Sequence, residues 1–290
     1  MFYVLISIFV VVILLISLMH ILTATKYPKT SLKDGIVLIT GGSQGIGYSC
    51  AKSCLNDGGN VILLSRSKVK LSDAVTSLKK LLPNDSKQKI LTVSCDVTDY
   101  DKMAEEIKSC MDTNGFDKLD ALFCNAGIEA VGTVFDTSID KYRKIMDVNY
   151  FGVLNSIKVC LPYLIKNGQN GKNSKIVVTS SILGIMSMAY YSAYSASKFA
   201  LRGLVESLAS ELASKNVFIS IVYPPDVNTE MLKREKSIKI PQAIKDISED
   251  SGMVEPDVVG NDMVNMVKNG VYMKSWTLDG WMLSNLTVGF

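Results

Sequence analysis

Histidine is almost absent from this sequence, which contains only His20 among its 290 residues. A Ser-His-Asp triad requires a histidine as its base, and zinc enzymes commonly use several histidine ligands. His20 also lies within an apolar N-terminal stretch, away from the polar residues that could act as nucleophiles. The scarcity of histidine therefore argues against triad hydrolases and histidine-rich zinc enzymes, and we expect no metal site.

Blocks of like charge are absent as well, since 31 lysine and arginine residues nearly balance 28 aspartate and glutamate residues. Proteins that bind nucleic acids usually carry a basic patch or stripe, so we expect no nucleic-acid partner. Internal repeats and low-complexity tracts are also missing from the sequence. A chain of this length with 48% hydrophobic residues can bury one large core, which predicts one domain with an appendage.

A disulfide framework is not evident, because the cysteines show no regular spacing. Their positions fall in predicted strands and helices, so we expect reduced thiols in the core of a cytosolic domain. Two glycosylation sequons, which begin at Asn84 and Asn285, would be usable if the domain lay in a lumen, but short sequons often arise by chance. The six cysteines are Cys50, Cys54, Cys95, Cys110, Cys124 and Cys160.

Residues 1–25 are predicted to form a transmembrane anchor. The segment from Phe2 to Leu22 is an apolar run of about 21 residues, which is long enough to cross the hydrocarbon core of a bilayer. The alternatives are a cleaved signal peptide and a buried core helix. A signal peptide normally begins with a basic region, which this segment lacks. A buried core helix is disfavoured because the strand-forming domain starts only after Lys33.

Lysines follow the apolar run but do not precede it: Lys26, Lys29 and Lys33 come directly after the predicted anchor. Basic residues that flank a membrane span tend to remain on the cytosolic side. We therefore expect the second predicted unit, a catalytic domain at residues 33–290, to face the cytosol.

Six apolar runs of strand length alternate with helix-length segments across this domain. Runs that are apolar throughout are buried on both faces, as the strands of a parallel sheet are. The pattern predicts an α/β fold with a single Rossmann-type, doubly wound parallel sheet between two helix layers. Residues 226–256, which are polar and rich in lysine, are either a mobile segment over the substrate site or a plain surface loop. The predicted strands are 36–40, 60–65, 90–95, 119–124, 175–180 and 217–223.

A glycine-rich turn follows the first predicted strand and precedes a helix predicted over about residues 46–55. Glycines allow a tight turn and let the backbone approach a pyrophosphate, which can bind at the N-terminus of the helix. The spacing Gly-x-x-x-Gly-x-Gly differs from the commoner Gly-x-Gly-x-x-Gly, and a tight turn without a ligand is the alternative. The turn reads Thr40-Gly41-Gly42-Ser43-Gln44-Gly45-Ile46-Gly47.

Tyr194 and Lys198 are candidates for proton transfer. Because they are four residues apart on a predicted helix, they lie on the same face, one turn from each other. A neighbouring ammonium favours the phenolate, so we expect Lys198 to lower the pKa of Tyr194. Ser181 could hydrogen-bond a substrate carbonyl oxygen beside them. Such a pair often occurs by chance, but its combination with the glycine turn is much more specific.

With these motifs, the chain resembles the short-chain dehydrogenase/reductase family over about residues 33–230. Asp96-Val97 follows the third predicted strand, Asn125-Ala126-Gly127 follows the fourth, and Asn149 matches a further catalytic position of the family. The resemblance implies a reductase with a catalytic tetrad. The tetrad consists of Asn149, Ser181, Tyr194 and Lys198.

The resemblance also implies a set of cofactor-binding residues along the carboxyl ends of the strands. Two of them, Tyr194 and Lys198, belong to the tetrad as well. The full set is Gly41, Ser43, Gln44, Gly45, Ile46, Gly47, Arg66, Lys70, Asp96, Val97, Asn125, Tyr194, Lys198, Pro224, Val227 and Thr229.

Arg66 indicates which nicotinamide cofactor is used. It closes the second predicted strand, where a protein that prefers NAD usually presents an acid to the ribose 2′-hydroxyl. An arginine can instead form two charge-assisted bonds with a 2′-phosphate, and Ser43 and Lys70 could add contacts. A solvated surface arginine is the alternative. Since no acid occupies the end of this strand, we expect NADPH and therefore reduction of a ketone to an alcohol.

The family mechanism implies a role for each member of the tetrad. Tyr194 would protonate the alkoxide that develops as hydride reaches the ketone, and Lys198 would lower the pKa of Tyr194 and bind the nicotinamide ribose. Ser181 would polarise the carbonyl, and Asn149 would hold a water molecule that returns the proton through Lys198. Ser180 is adjacent to Ser181, but the family spacing favours Ser181.

Two further segments resemble the corresponding segments of those family members that reduce 3-ketosphinganine to sphinganine. They are Tyr223-Pro224-Pro225-Asp226 and, near the end of the sequence, Asp279-Gly280. This resemblance implies a long-chain sphingoid ketone substrate, a role in sphingolipid synthesis, and attachment to the endoplasmic reticulum membrane. Anchored reductases of hydroxysteroids, retinoids or other lipid carbonyls would share every catalytic residue. A non-catalytic binding protein on the same fold is a third possibility. Homo-oligomers are frequent in the family, so the protein could also form one.

Overall fold

Seven strands form one parallel sheet in the computed structural model, which describes residues 27–238, 240–242, 246 and 252–287. The order is β3-β2-β1-β4-β5-β6-β9, so the chain reverses direction across the sheet between β1 and β4. Ligands of open α/β sheets bind beyond the carboxyl ends of the strands at such a point. Two short strands, β7 and β8, pair with each other in a separate sheet. The strands are β1 (Ile36–Thr40), β2 (Asn60–Ser65), β3 (Ile90–Ser94), β4 (Ala121–Cys124), β5 (Ser174–Thr179), β6 (Val217–Tyr223), β7 (Asp226–Val227), β8 (Met253–Val254) and β9 (Met273–Ser275).

Helices connect the strands. Between α4 and α5 the helix continues through one π-helical turn at Asp147–Phe151, and a short 3₁₀ turn at Ile182–Gly184 follows β5. The helices are α1 (Gly45–Asn56), α2 (Lys68–Lys79), α3 (Tyr100–Thr113), α4 (Ile139–Met146), α5 (Gly152–Gln169), α6 (Ser192–Ala213), α7 (Glu230–Lys236), α8 (Pro256–Asn269) and α9 (Leu278–Thr287).

Both faces of the sheet are buried, as the apolar strands predict. Val37 and Ile39 of β1 pack in a cluster with buried residues of α1, α2 and α8. Leu38, which points to the opposite face, belongs to a second cluster with residues of α3, α5 and α6. The predicted Rossmann-type sheet between two helix layers is therefore confirmed.

The predicted anchor at residues 1–25 lies outside the described residues. Within the described part of the chain, one continuous helical stretch, Ile139–Gln169, is long and apolar enough to cross a membrane by length and composition alone. Cys160 and Leu164 in this stretch are fully buried and pack in the core of the domain. This packing is that of a core helix.

The chain enters the described domain at the amino edge of the sheet. The ring of Tyr27 lies 5.1 Å from the ring of Phe218, near the start of β6, and 5.8 Å from the ring of Tyr272, just before β9. The Lys175 Nζ at the start of β5 donates a hydrogen bond of 2.6 Å to the carbonyl oxygen of Pro28. These contacts hold residues 27 and 28 at the edge opposite the carboxyl ends of the strands.

Candidate active site

The turn between β1 and α1 has a shape that requires glycine. Gly41 and Gly45 have φ angles of 66° and 56°, in the left-handed region that other residues rarely adopt. A Cβ atom at Gly47 would lie only 2.4 Å from the carbonyl oxygen of Gly41. The side chain of Gln44 does not cap α1, so the backbone N–H groups at the start of this helix remain open to an anion.

A cavity extends from this turn along the carboxyl ends of β1, β2 and β4. Nearly all of the predicted cofactor-binding residues line it, apart from those near the nicotinamide end. The predicted residues in its lining are Gly41, Ser43, Gln44, Gly45, Ile46, Gly47, Arg66, Lys70, Asp96, Val97, Asn125 and Thr229.

The far end of this cavity carries the predicted selectivity residues. The side chain of Arg66 is 62% exposed, and its Nη1 lies 3.6 Å from the Asp96 Oδ2. The Ser43 hydroxyl donates to the Ser65 hydroxyl at 3.0 Å, and the Lys70 Nζ donates to the Gln44 Oε1 at 2.8 Å. Arginine, lysine and serine therefore line one end of the cavity, a donor set that suits a phosphate.

Asn125 contributes an orphaned donor to the middle of the site. Its Oδ1 accepts a hydrogen bond of 2.6 Å from the Thr179 hydroxyl, which fixes the amide. Its Nδ2 is buried and has no partner among the described residues. Since a buried polar group without a partner is costly, this amide fits a site that a polar ligand completes. Together with the glycine turn, it makes the cavity suited to a dinucleotide.

A second cavity adjoins the first and brings three of the four tetrad residues together. It is lined by Ser181 after β5 and by Tyr194 and Lys198 on α6. The Lys198 Nζ lies 5.6 Å from the centre of the Tyr194 ring, so the two side chains share one face of the helix, as their spacing predicts. Pro224 and Val227 line this second cavity as well.

Ser181 and Ser180 have different partners. Ser181 forms a hydrogen bond with the side chain of Tyr194. The Ser180 hydroxyl donates a hydrogen bond of 3.0 Å to the backbone carbonyl of Lys198 and is almost wholly buried. Ser180 therefore braces α6 against β5, whereas Ser181 contacts the phenol.

Asn149 lies behind the cavity in the π-helical turn and is fully buried. Its Oδ1 accepts from the backbone N–H of Ile128 at 2.8 Å, and its Nδ2 donates to the carbonyl of Ile128 and to the Ser197 hydroxyl, both at 3.0 Å. Both donors of the amide are used, so Asn149 fastens the turn after β4 to α6. Its role in a water relay stays a prediction.

Tyr194 and Lys198 both have shifted pKa values. Burial raises the pKa of Tyr194 well above its ordinary value, and the carboxylate of Glu235 raises it further. Burial also lowers the pKa of Lys198 to about 8. Burial sets the direction of both shifts, because it disfavours the phenolate and the ammonium alike. A lowering of the Tyr194 pKa by Lys198 stays a prediction.

Glu235, which lines the second cavity, is a residue that the sequence did not predict. Glu235 on α7 lines the cavity, and the hydroxyl of Tyr191 donates a hydrogen bond of 2.6 Å to its Oε1. They are separated by 44 positions in the chain. No local pattern links them, and Glu235 lies in a lysine-rich stretch that resembles a solvated surface segment.

Curated relatives and solved structures resemble this chain. The 3-dehydrosphinganine reductase of Danio rerio is 34% identical over 280 residues, which cover 96% of this chain and 82% of the relative. The 3-ketodihydrosphingosine reductase of Bos taurus is 32% identical, with 94% and 80% covered. The 3-ketoacyl-(acyl-carrier-protein) reductase of Brucella melitensis, solved in complex with NADH, superposes with a TM-score of 0.71 at 21% identity and covers 84% of this chain and 95% of its own.

The family model described as short chain dehydrogenase matches residues 35–239. This range includes six of the seven strands of the sheet and the residues that line both cavities. The chain therefore belongs to the short-chain dehydrogenase family, whose members are oxidoreductases that use a nicotinamide cofactor.

Proposed function

We propose that this protein reduces 3-ketosphinganine to sphinganine with NADPH. The observation that carries the proposal is that Ser181, Tyr194 and Lys198 line one cavity that adjoins the glycine-turn cavity. Relatives that match most of this chain are named as reductases of this ketone. The second cavity is also lined by apolar side chains, including Ile182, Leu183 and Leu232, which suit a lipid chain.

NADPH is the proposed cofactor because of the charge at the far end of the first cavity. The glycine turn and the open N-terminus of α1 would hold the pyrophosphate, and Asn125 and Thr229 would contact the part of the cofactor between the two cavities. Arg66 and Lys70 would bind the 2′-phosphate, which NADH lacks. When bound, NADPH supplies the hydride for the reduction.

Tyr194 and Ser181 activate the carbonyl group. The Ser181 hydroxyl donates a hydrogen bond to the carbonyl oxygen, and the Tyr194 hydroxyl donates the proton that this oxygen needs as it becomes an alcohol. The raised pKa of Tyr194 keeps the phenol protonated at neutral pH, as a proton donor must be. The developing alkoxide is far more basic than a phenolate, so this transfer is favourable.

Lys198 returns the proton to Tyr194. Its Nζ donates a hydrogen bond of 2.9 Å to the carbonyl oxygen of Thr179, which holds the ammonium beside the phenol. With its pKa lowered to about 8, Lys198 is a stronger acid than Tyr194, whose pKa is raised. Transfer of a proton from Lys198 to the phenolate is therefore downhill.

We further propose that residues 1–25 anchor the protein in the endoplasmic reticulum membrane and that the catalytic domain faces the cytosol. The lysines after the apolar run support this orientation. The six cysteines are free and five of them are buried, as expected of a reducing compartment. Asn84, which begins a sequon, is exposed in the loop before β3.

Glycosylation tests this orientation. If the domain is cytosolic, full-length protein expressed in a eukaryotic cell will keep its electrophoretic mobility after treatment with a glycosidase that removes N-linked glycans. A lumenal domain would carry a glycan at the exposed Asn84, and a mobility shift that is lost in Asn84→Gln would contradict the proposal.

The proposed activity is tested with detergent-solubilised, full-length protein, NADPH and 3-ketosphinganine, beside a ketosteroid and a retinal. We expect oxidation of NADPH with the sphingoid ketone, with a kcat/KM well above that for the other two substrates. Preferential reduction of the steroid or the retinal would overturn the substrate assignment. Binding of NADPH without reduction of any carbonyl would overturn the enzymatic assignment.

A further inference from the structure

A carboxylate faces the carbonyl-reducing groups across the second cavity. Glu235 lines this cavity together with Ser181, Tyr194 and Lys198, and it is partly buried on α7. The hydrogen bond of 2.6 Å from the Tyr191 hydroxyl fixes its Oε1. Tyr191 is itself almost wholly buried at the start of α6, so the carboxylate is held by a side chain that packs in the domain.

Burial raises the pKa of Glu235, and the nearby charges of Asp226 and Glu129 add to this, whereas Lys236 acts in the opposite direction without forming an ion pair. Glu129, the other glutamate that acts on Tyr194, forms an ion pair of 3.3 Å with Arg234. In the described ranges, no lysine or arginine forms an ion pair with Glu235. Asp226 lines the same cavity and adds a second negative charge. A partly buried carboxylate without an ion pair is costly, and a cationic ligand would reduce that cost.

The proposed substrate carries a cation where this carboxylate can reach it. In 3-ketosphinganine the carbon atom that bears the ammonium group is bonded to the carbonyl carbon. When the carbonyl oxygen lies at Ser181 and Tyr194, the ammonium must therefore lie in the same cavity. We propose that Glu235 binds the ammonium group of the substrate and thereby selects an α-amino ketone over other lipid ketones. This inference rests on the proposed function.

The contact between Glu235 and the ammonium group of the substrate would also help the proton transfer from Tyr194. The charge of Glu235 raises the pKa of Tyr194, so it opposes the phenolate that forms when Tyr194 gives up its proton. An ammonium group beside Glu235 offsets that charge as the reaction proceeds. A ketone of the same chain length without the amine lacks this compensation, so its kcat should fall as well as its affinity.

The experiment compares 3-ketosphinganine with the matched long-chain 1-hydroxy-3-ketone that lacks the amine, in full-length protein with saturating NADPH. We expect wild-type protein to prefer the amino ketone, measured as the ratio of the two kcat/KM values. Glu235→Gln removes the charge at nearly constant shape and should reduce this ratio about 10-fold or more. Glu235→Asp, which keeps the charge, should retain more of the preference.

A matched control is Glu105→Gln, which removes an exposed glutamate on α3 away from both cavities and should keep the wild-type ratio. An unchanged ratio in Glu235→Gln would overturn the inference while the proposed function stands. So would equal kcat/KM values for the two ketones in wild-type protein, whether or not the variant folds. If wild-type protein reduces neither sphingoid ketone, the proposed function itself fails.

Discussion

Tyr194 and Lys198 lie in surroundings that shift their pKa values in opposite directions. Burial raises the pKa of the phenol and lowers that of the ammonium to about 8. The phenol is therefore protonated before the reaction, and the lysine is the more acidic of the two. This order suits the proposed reduction, in which Tyr194 would donate a proton to the substrate and Lys198 would return one to Tyr194.

Arg66→Ala should change the choice of cofactor. Because Arg66 is the arginine at the end of β2, its loss should lower kcat/KM with NADPH about 10-fold to 100-fold and leave kcat/KM with NADH nearly unchanged. Steady-state kinetics with both cofactors measures the change. Arg143→Ala is the control, since Arg143 is an exposed arginine that pairs with Asp140 on α4. An equal loss with NADPH and NADH would contradict the role of Arg66.

The glycine turn and α1 form the element on which the proposed binding of the cofactor depends. The turn approaches its own backbone so closely at Gly47 that no side chain fits, and α1 begins without a side-chain cap. By contrast, Ser67 caps α2 and Asp99 caps α3 through hydrogen bonds to backbone N–H groups. The first helix is thus left with open donors at the position where a pyrophosphate would bind.

Gly47→Ala should disrupt this element. The added methyl group would clash with the carbonyl of Gly41, so we expect a loss of about 1–3 kcal/mol in stability and much weaker binding of NADPH. Gly203→Ala is the control, because Gly203 is exposed on α6 with no atom near the added methyl group. It should bind NADPH normally and gain up to about 1 kcal/mol. Thermal unfolding and fluorescence titration measure both effects, and normal NADPH binding by Gly47→Ala would contradict the account.

The sequence predicts the elements that have strong local patterns. All six predicted strands are present, with ends shifted by at most two residues, because each is a continuous apolar run. The edge strand β9 was missed because its three residues, Met-Lys-Ser, carry no such pattern. Glu235 on α7 was missed because only the folded chain brings it to the cavity of Tyr194, where it accepts a hydrogen bond from Tyr191 at the start of α6.

On the scale of the whole molecule, the entry of the chain and the candidate active site lie at opposite edges of the sheet. Tyr27 and Pro28 are held at the amino edge by contacts with Lys175 and Phe218. The Nζ of Lys175 lies 5.3 Å from the centre of the Tyr27 ring and 4.7 Å from that of Phe218. Lys175 is almost wholly buried, and burial lowers its pKa to about 8. A charged group thus joins the start of the domain to its core.

Lys175→Met should change how stability depends on pH. The pKa of Lys175 is lower in the folded protein, at about 8, than the ordinary 10.5, so between these values the unfolded chain binds more protons. Wild-type protein should therefore gain stability relative to Lys175→Met as pH rises from about 8 to 10.5, by on the order of 1–3 kcal/mol. Below this window the difference should be constant.

Thermal unfolding midpoints across this pH range measure the effect. The comparison with the variant cancels the contributions of the titrating groups that both proteins share. Lys172→Met, which replaces an exposed lysine just before β5, is the control and should run parallel to wild type. A constant difference between Lys175→Met and wild type over the whole range would contradict a lowered pKa at Lys175.

The transfer of a hydride from NADPH to the ketone is tested most directly by following a deuterium label from cofactor to product. Full-length protein is incubated with 3-ketosphinganine and NADPH that carries deuterium on one face of nicotinamide C4, with each face tested separately, and the sphinganine is analysed by mass spectrometry. We expect one of the two labelled cofactors to give sphinganine with a single deuterium at C3. We also expect Tyr194→Phe to bind NADPH but to form this product at least about 100-fold more slowly. Unlabelled sphinganine from both cofactors, or a wild-type rate in Tyr194→Phe, would contradict the proposed mechanism.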